Sequence, residues 1–319
     1  MKWSVSKSKT FKLCQRKWFY SDIYGAWNAK AEERREAYLL GNLQSVQAWR
    51  GSLVDSVIEN FIIKKMHFEN RVPTIEEIIN YSDCLIQKQL EFGMKQRFRE
   101  QGMTKAKAKD EYAAFFDIEY KGQLDSTHIQ TAINEIHTAL YNLINSGLLQ
   151  KLSTIPGAKL IPQRFMQIPM NGFTVVSLPD LIVLYADKTP LIVDWKVHAG
   201  RNTDYWLQLG IYAYVLHKLC SSNPPPDFPE YHHNPKYEPQ EIELIEFQLL
   251  SNVQKEYNLT DDEICGIEDY IYKYGTIMTT FFNEDKLDPR NYQTALKSSV
   301  CSYCQFKKLC WEDENNGQN

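Results

Sequence analysis

Hydrophobic positions along the chain change period several times, and each change marks a new element. Val54, Val57, Ile58 and Phe61 recur at helical spacing opposite Ser52, Asp55 and Glu59, the pattern of an amphipathic helix beginning near Gly51. Thr74 and Glu77 precede Ile78, Ile79, Leu85, Ile86 and Leu90, which reads as a capping box opening a second helix. Glu111 to Tyr120 reads as a short helix. Ser126 to Ser146 carries Ile129, Ile133, Ile136, Leu140 and Leu143 on one face, and Gly147 stops it. Beta structure follows from Lys159 to Ile168, with a turn at Asn171-Gly172. Phe173 to Tyr185 and Pro190 to Val197 then read as the two arms of a hairpin, turning over Ala186 to Thr189. Helical character returns from Asp204 to Cys220. Ser221 to Pro239 holds six prolines and the pair His232-His233 and reads as a loop. Glu241 to Leu250 is a further strand, and Thr260 with Glu263 caps a helix running to Phe282.

This order of elements implies an α/β protein with a mixed central sheet, flanking helices and a helical insertion. The expected segments are 1–66, with the Asp55 helix; 67–150, the insertion; 151–250, the core; and 251–319, the last helix and a cysteine-rich end. At 319 residues and 43% hydrophobic content the chain can bury a large core. No apolar run approaches a membrane span, so no membrane association is expected. The absence of internal repeats and of a Gly-x-x-x-x-Gly-Lys-Ser/Thr loop excludes a solenoid and a motor within this chain. Seven cysteines, an odd number, and no signal peptide oppose a secreted disulfide framework and point to a reducing cytoplasm.

A net charge of -4 does not advertise a nucleic-acid protein, but it hides local patches. Met1 to Ser21 contains six lysines or arginines and no acid. Lys95, Arg97, Arg99, Lys105, Lys107 and Lys109 follow one another with Glu100 as the single acid among them. Such runs are ordinarily solvated faces; beside a phosphodiester-cleaving site they also suit DNA phosphates. Trp3, Trp18, Phe19 and Tyr20 offer base-stacking rings or, more ordinarily, core.

The chemistry concentrates in the hairpin. Asp180 and Asp194 are equidistant from Asp187, so an in-register hairpin sets their carboxylates opposite one another. Side chains alternate along a strand, which puts Lys196 on the face of Asp194 and turns Trp195 toward the core. Two carboxylates and an ammonium at one point suit Mg2+-dependent phosphodiester hydrolysis, because Mg2+ takes hard oxygen ligands and keeps waters. The plain alternative is a surface ion pair of little consequence. Gln208 and Tyr212, at i and i+4, share one face of the following helix, which alone is an ordinary amphipathic pattern. Cys301, Cys304 and Cys310 form Cys-x-x-Cys-x-x-x-x-x-Cys, and closely spaced thiolates suit zinc or an iron-sulfur cluster, each needing a fourth ligand.

Asp180, Asp194-Trp195-Lys196 and Gln208-x-x-x-Tyr212 together resemble the PD-(D/E)XK nucleases of the RecB type, with their restriction-endonuclease-like core. The resemblance implies metal binding by Asp180, Asp194 and the Trp195 carbonyl, positioning of the attacking water by Lys196, and support of the site by Gln208 and Tyr212. The Ser-rich start leading to Cys14, Arg16-Lys17 and aromatics is also similar to that family. In its CRISPR-associated exonucleases and AddB-type helicase-nucleases, one N-terminal and three C-terminal cysteines hold a [4Fe-4S] cluster. This implies Cys14, Cys301, Cys304 and Cys310 as ligands, with zinc as the competitor, and leaves Cys84, Cys220 and Cys265 as small apolar residues. Two positions depart from the pattern. Asp55 stands where the family carries a histidine near its Mg2+ or Mn2+, and is either a ligand or part of a solvated stripe with Ser52 and Glu59. Ser177 stands where glycine is common and bears on how closely DNA approaches. The implied activity is DNA cleavage, as an exonuclease on single strands or duplex ends, in repair or antiviral defence, with a helicase or defence-complex partner. The alternative is a noncatalytic DNA-binding subunit of such a complex.

Overall fold

The computed structural model describes residues 1–198, 205–282 and 287–316. Its strands form two sheets. The smaller runs β1 (Lys2–Trp3), β4 (Phe173–Ser177), β3 (Met166–Met170). The larger runs β2 (Lys159–Pro162), β5 (Leu181–Leu184), β6 (Leu191–Lys196), β7 (Glu243–Gln248), β8 (Val253–Tyr257). Only β6 and β7 run parallel in the larger sheet; its other neighbours are antiparallel, so the sheet is mixed.

Two stretches that read as single strands are each divided between the sheets. Lys159 to Ile168 breaks at Gln163, which adopts a left-handed φ of 45°. Phe173 to Tyr185 breaks at Leu178-Pro179-Asp180, where proline lacks the N–H a ladder needs. The breaks face each other: the Gln163 N–H donates to the Asp180 carbonyl at 3.0 Å. Glu111 to Tyr120 also differs from a single helix. A 3-10 turn ends at Glu111, Phe115 bridges to Gln44, and only Phe116–Lys121 is α-helical.

Helices flank the sheets. α1 (Val5–Leu13) is capped by Ser4, and α2 (Val46–Val57) is capped by Ser45 and runs on into a π-helical turn over Ile58–Ile63. α3 (Ile75–Met94) and α6 (Asp261–Phe281) each open on the expected capping box, Thr74 with Glu77 and Thr260 with Glu263. α4 (Ser126–Asn145) is capped by Asp125, and α5 (Trp206–Ser222) follows the β5–β6 hairpin. Asp204, where the sequence pattern begins α5, lies outside the described residues.

Alternation along the buried strands gives the larger sheet two apolar faces. Ile182, Leu184, Ile192 and Leu244 pack toward α5 and α6, whereas Leu181, Val183, Leu191, Val193 and Trp195 pack toward α2, α3 and α4. Each such side chain contributes about 1.5–3 kcal/mol on burial. The helices of the central insertion are thus part of the core beneath the sheet. The N-terminal aromatics are core as well: Trp3, Trp18, Phe19 and Tyr20 are buried, with Phe19 stacked on Tyr292 at 4.4 Å and Tyr20 on Phe306 at 5.4 Å. They offer no surface to bases. Among the described residues no helix is long and apolar enough to cross a membrane.

Candidate active site

The hairpin register is the one the spacing predicts: Leu181 pairs with Val193 and Ile182 with Ile192, centred on Asp187. Asp180 therefore enters just ahead of β5, opposite Asp194 in β6. Its Oδ2 accepts the Trp195 N–H at 2.8 Å and its Oδ1 accepts Gln163 Nε2 at 3.2 Å, so two backbone breaks and one strand hold the carboxylate. Asp194 is 1% exposed and forms an ion pair through Oδ2 with Lys196 Nζ. Its Oδ1 accepts Gln208 Nε2 at 3.2 Å, and the same amide donates to the Tyr212 hydroxyl at 2.8 Å. Helical spacing on α5 thus delivers both side chains to β6. The Lys196 ammonium lies 4.7 Å from the centre of the Tyr205 ring.

Asp55 arrives from α2. Burial pushes its carboxyl up to about 7, with further raising by Asp194 and Glu59 against the opposing pull of Lys196. The same forces act throughout the site. Burial, then Asp194 and Asp55, hold the Asp180 carboxyl well above its ordinary range. Burial raises Asp194 although Lys196 opposes it. Burial works against the Lys196 ammonium, but Asp194 prevails and keeps it above its usual value. Burial and the two aspartates also raise the Tyr212 phenol. Three carboxylates gather around the part-buried Lys196, with Lys9 acting on Asp194 as well, and this concentration of hard oxygen donors fits a divalent ion. Among the described residues no three His, Cys, Asp or Glu side chains already form a group able to hold a metal ion. Rather than an open pair of carboxylates, the hairpin presents Asp194 bound to Lys196 and Asp180 bound to Trp195.

Other residues emerge only from the fold. Glu246 of β7 is fully buried, pairs in register with Asp194, and accepts bonds from Tyr257 at 2.6 Å and Gln248 at 2.8 Å. An acid inside an apolar strand is the signal that marked it. Arg50, buried on α2, ion-pairs with Glu135 of α4 and donates to the Val197 carbonyl, strapping Asp55's helix to the end of β6. Ser177 is buried, so it presents no side chain toward DNA.

At the other end of the chain, Cys14, Cys301, Cys304 and Cys310 line one cavity with Arg16 and Phe306. The Lys17 N–H donates to Cys14 Sγ at 3.4 Å and Arg16 Nη1 to Cys310 Sγ at 3.5 Å. Burial pushes the Cys304 thiol up, reinforced by Cys14 and Cys310. Of the remaining cysteines only Cys220 is buried; Cys84 and Cys265 are exposed, unlike the apolar role expected of them. His232 is buried and bonded to the Tyr185 carbonyl at 2.9 Å and to Tyr237 at 3.2 Å, while His233 turns to the Phe228 carbonyl. Half of the second basic run is neutralised locally. Lys95 pairs with Glu91, Arg97 with Glu100 and Glu111, and Arg99 with Glu36 and Glu119.

The sequence model of the PD-(D/E)XK nuclease superfamily matches residues 2–311. A solved structure titled "Crystal structure of SSO0001" aligns with 72% of this chain and 95% of its own, at 14% identity and a TM-score of 0.28, too distant a likeness to carry an argument. No curated protein matches the chain.

Proposed function

The chain belongs to the PD-(D/E)XK nuclease superfamily, and from that premise we propose that it is a Mg2+- or Mn2+-dependent deoxyribonuclease of RecB type. One observation carries the reading: Asp55, Asp180 and Asp194 act electrostatically on one another around Lys196, which is ion-paired with Asp194, backed by the Gln208–Tyr212 pair. Asp55, Asp180, Asp194 and the Trp195 carbonyl would hold the ion. When bound, the ion supplies Lewis-acid polarisation of the phosphate and lowers the pKa of water. Lys196, kept cationic by Asp194, orients the attacking water and faces the charge that develops on the phosphate. Gln208 fixes the Asp194 carboxylate, and Tyr212 receives its second N–H and lies toward the substrate backbone.

The substrate of this reading is single-stranded DNA or a duplex end, cleaved exonucleolytically in cytoplasmic repair or antiviral defence, alongside a helicase or defence complex. The cysteine cavity takes a [4Fe-4S] cluster, as in the CRISPR-associated and AddB-type enzymes. The four cysteines lining one cavity support that assignment, and so do the N–H groups directed at Cys14 and Cys310, because hydrogen bonds to sulfur stabilise thiolate charge. The function is tested with anaerobically purified protein and end-labelled single- and double-stranded DNA in Mg2+, Mn2+ or chelator. Cleavage that needs the metal and is lost in Asp194→Ala is the expected result. Metal-independent cleavage, or an Asp194→Ala variant as fast as the parent, would refute it.

A further inference from the structure

A cavity of about 750 Å3 opens between the helix Glu32–Gly41 and the stretch from Gln101 to Lys107, well within the roughly 300–1,000 Å3 usual for ligand clefts. Its wall combines Trp27, Tyr38 and Met103 with Arg35, Lys105 and Lys107. Trp27 is 62% exposed, so a large flat ring faces solvent beside three cations. Just before this stretch, Arg99 is ion-paired with Glu36 at 2.8 Å and with Glu119 at 2.9 Å. These ion pairs consume nearby carboxylates. No hydrogen bond or ion pair joins Arg35 or Lys105 to a carboxylate among the described residues. Lys105 keeps contact with solvent, yet the protein around its ammonium depresses it below the ordinary lysine value, as desolvation without a counter-charge does.

Lys107 also borders a second cavity, lined by Tyr81, Lys88 and Lys109. This one reaches Asp110, whose carbonyl accepts Gln89 Nε2 at 2.7 Å, while Gln89 Oε1 accepts the Trp49 Nε1–H of α2, the helix of Asp55, at 2.7 Å. The two cavities meet at Lys107, so that Lys88, Lys109, Lys107, Lys105 and Arg35 outnumber the acids Asp110 and Glu111 along a track that starts on the side of α2. A lone small anion would be served by one pocket. Successive cations beside the exposed Trp27 ring match a polyanion whose bases are free to stack, which describes a single strand and not a duplex.

We infer that this track binds the single-stranded DNA leading away from the catalytic carboxylates, with a base on Trp27 and phosphates at Arg35 and Lys105. It rests on the nuclease reading for the identity of the strand. The test uses the whole protein in chelator, fluorescein-labelled oligothymidylate, and the variants Trp27→Ala and Arg35→Gln/Lys105→Gln. Each variant weakens oligothymidylate binding about tenfold, since stacking and phosphate contacts act on the free strand. The double variant also lowers the slope of log Kd against log salt by roughly 1.4, the value for two lost phosphate contacts on a single strand. Blunt duplex binding stays within about twofold, because its bases are not free to stack. In Mg2+, turnover at saturating DNA is unchanged and the loss appears in KM. Unchanged oligothymidylate affinity and salt slope, or duplex binding weakened as much as single-strand binding, would overturn the track. A parent that cleaves DNA while the variants bind normally sinks the track alone. A parent that never cleaves, but whose single-strand binding falls in the variants, sinks the nuclease reading and leaves the track.

Discussion

The Asp55 carboxylate accepts no hydrogen bond among the described residues, and burial, with Asp194 nearby, lifts its pKa to about 7 from an ordinary 3.8. The fold therefore favours the neutral acid. Its contribution to stability is complete below the unfolded value and is lost as pH rises through about 7. Asp55→Asn stays neutral throughout. In chelator it should melt a few degrees above the parent near pH 8, with the gain shrinking as pH is lowered toward 4. In Mg2+ it should cleave at least about tenfold more slowly, because a hard ligand is gone. Thermal melts that coincide at both pH values would contradict the placement of Asp55 among the acids. Much of this site was legible residue by residue. Asp180, Asp194, Lys196, Gln208 and Tyr212 obey strand alternation and helical spacing, which are local rules. Glu246 shows only as an acid inside an apolar strand and Gln163 not at all, because both reach the site through pairings with distant strands.

At the scale of elements, the helices and their caps follow from the chain pattern, since a capping box and a repeating apolar face are contained in one segment. The breaks at Gln163 and Leu178-Pro179-Asp180 are different. Apolar residues resume just beyond each of them, and the assignment of each half to a separate sheet divides the strands. β8, whose Val253 is exposed, carries too little apolar signal to mark itself. Close packing of elements makes a further prediction. α6 lies on β4 at Gly275, where an added Cβ would overlap the Phe173 ring. Gly275→Ala should lower stability by about 1–2 kcal/mol in urea unfolding, overpacking outweighing the gain in helix propensity. A variant as stable as the parent would show that α6 can shift off the sheet without cost.

For the molecule as a whole, the two ends of the chain are brought together: the Arg16 N–H donates to the Gln293 carbonyl at 3.1 Å, and Gln15 Oε1 accepts the Gln293 N–H at 3.1 Å. Local spacing shows three cysteines of one set; the arrival of Cys14 beside them depends on the entire fold. Anaerobic protein should be brown and contain about four irons per chain, and Cys14→Ser should be colourless and melt lower because the tie between the ends is lost. Cys84→Ser, at an exposed position, should match the parent. Stoichiometric zinc without iron would replace the cluster by a zinc tie. The catalytic assignment has its most direct test in Lys196→Met, which keeps an apolar stem beside Tyr205 and removes the ammonium paired with Asp194. Single-turnover cleavage of end-labelled DNA in Mg2+ should fall about 100-fold or more, with DNA affinity in chelator held within about twofold. Cleavage by Lys196→Met at the parental rate would contradict the assignment of this hairpin as the catalytic centre.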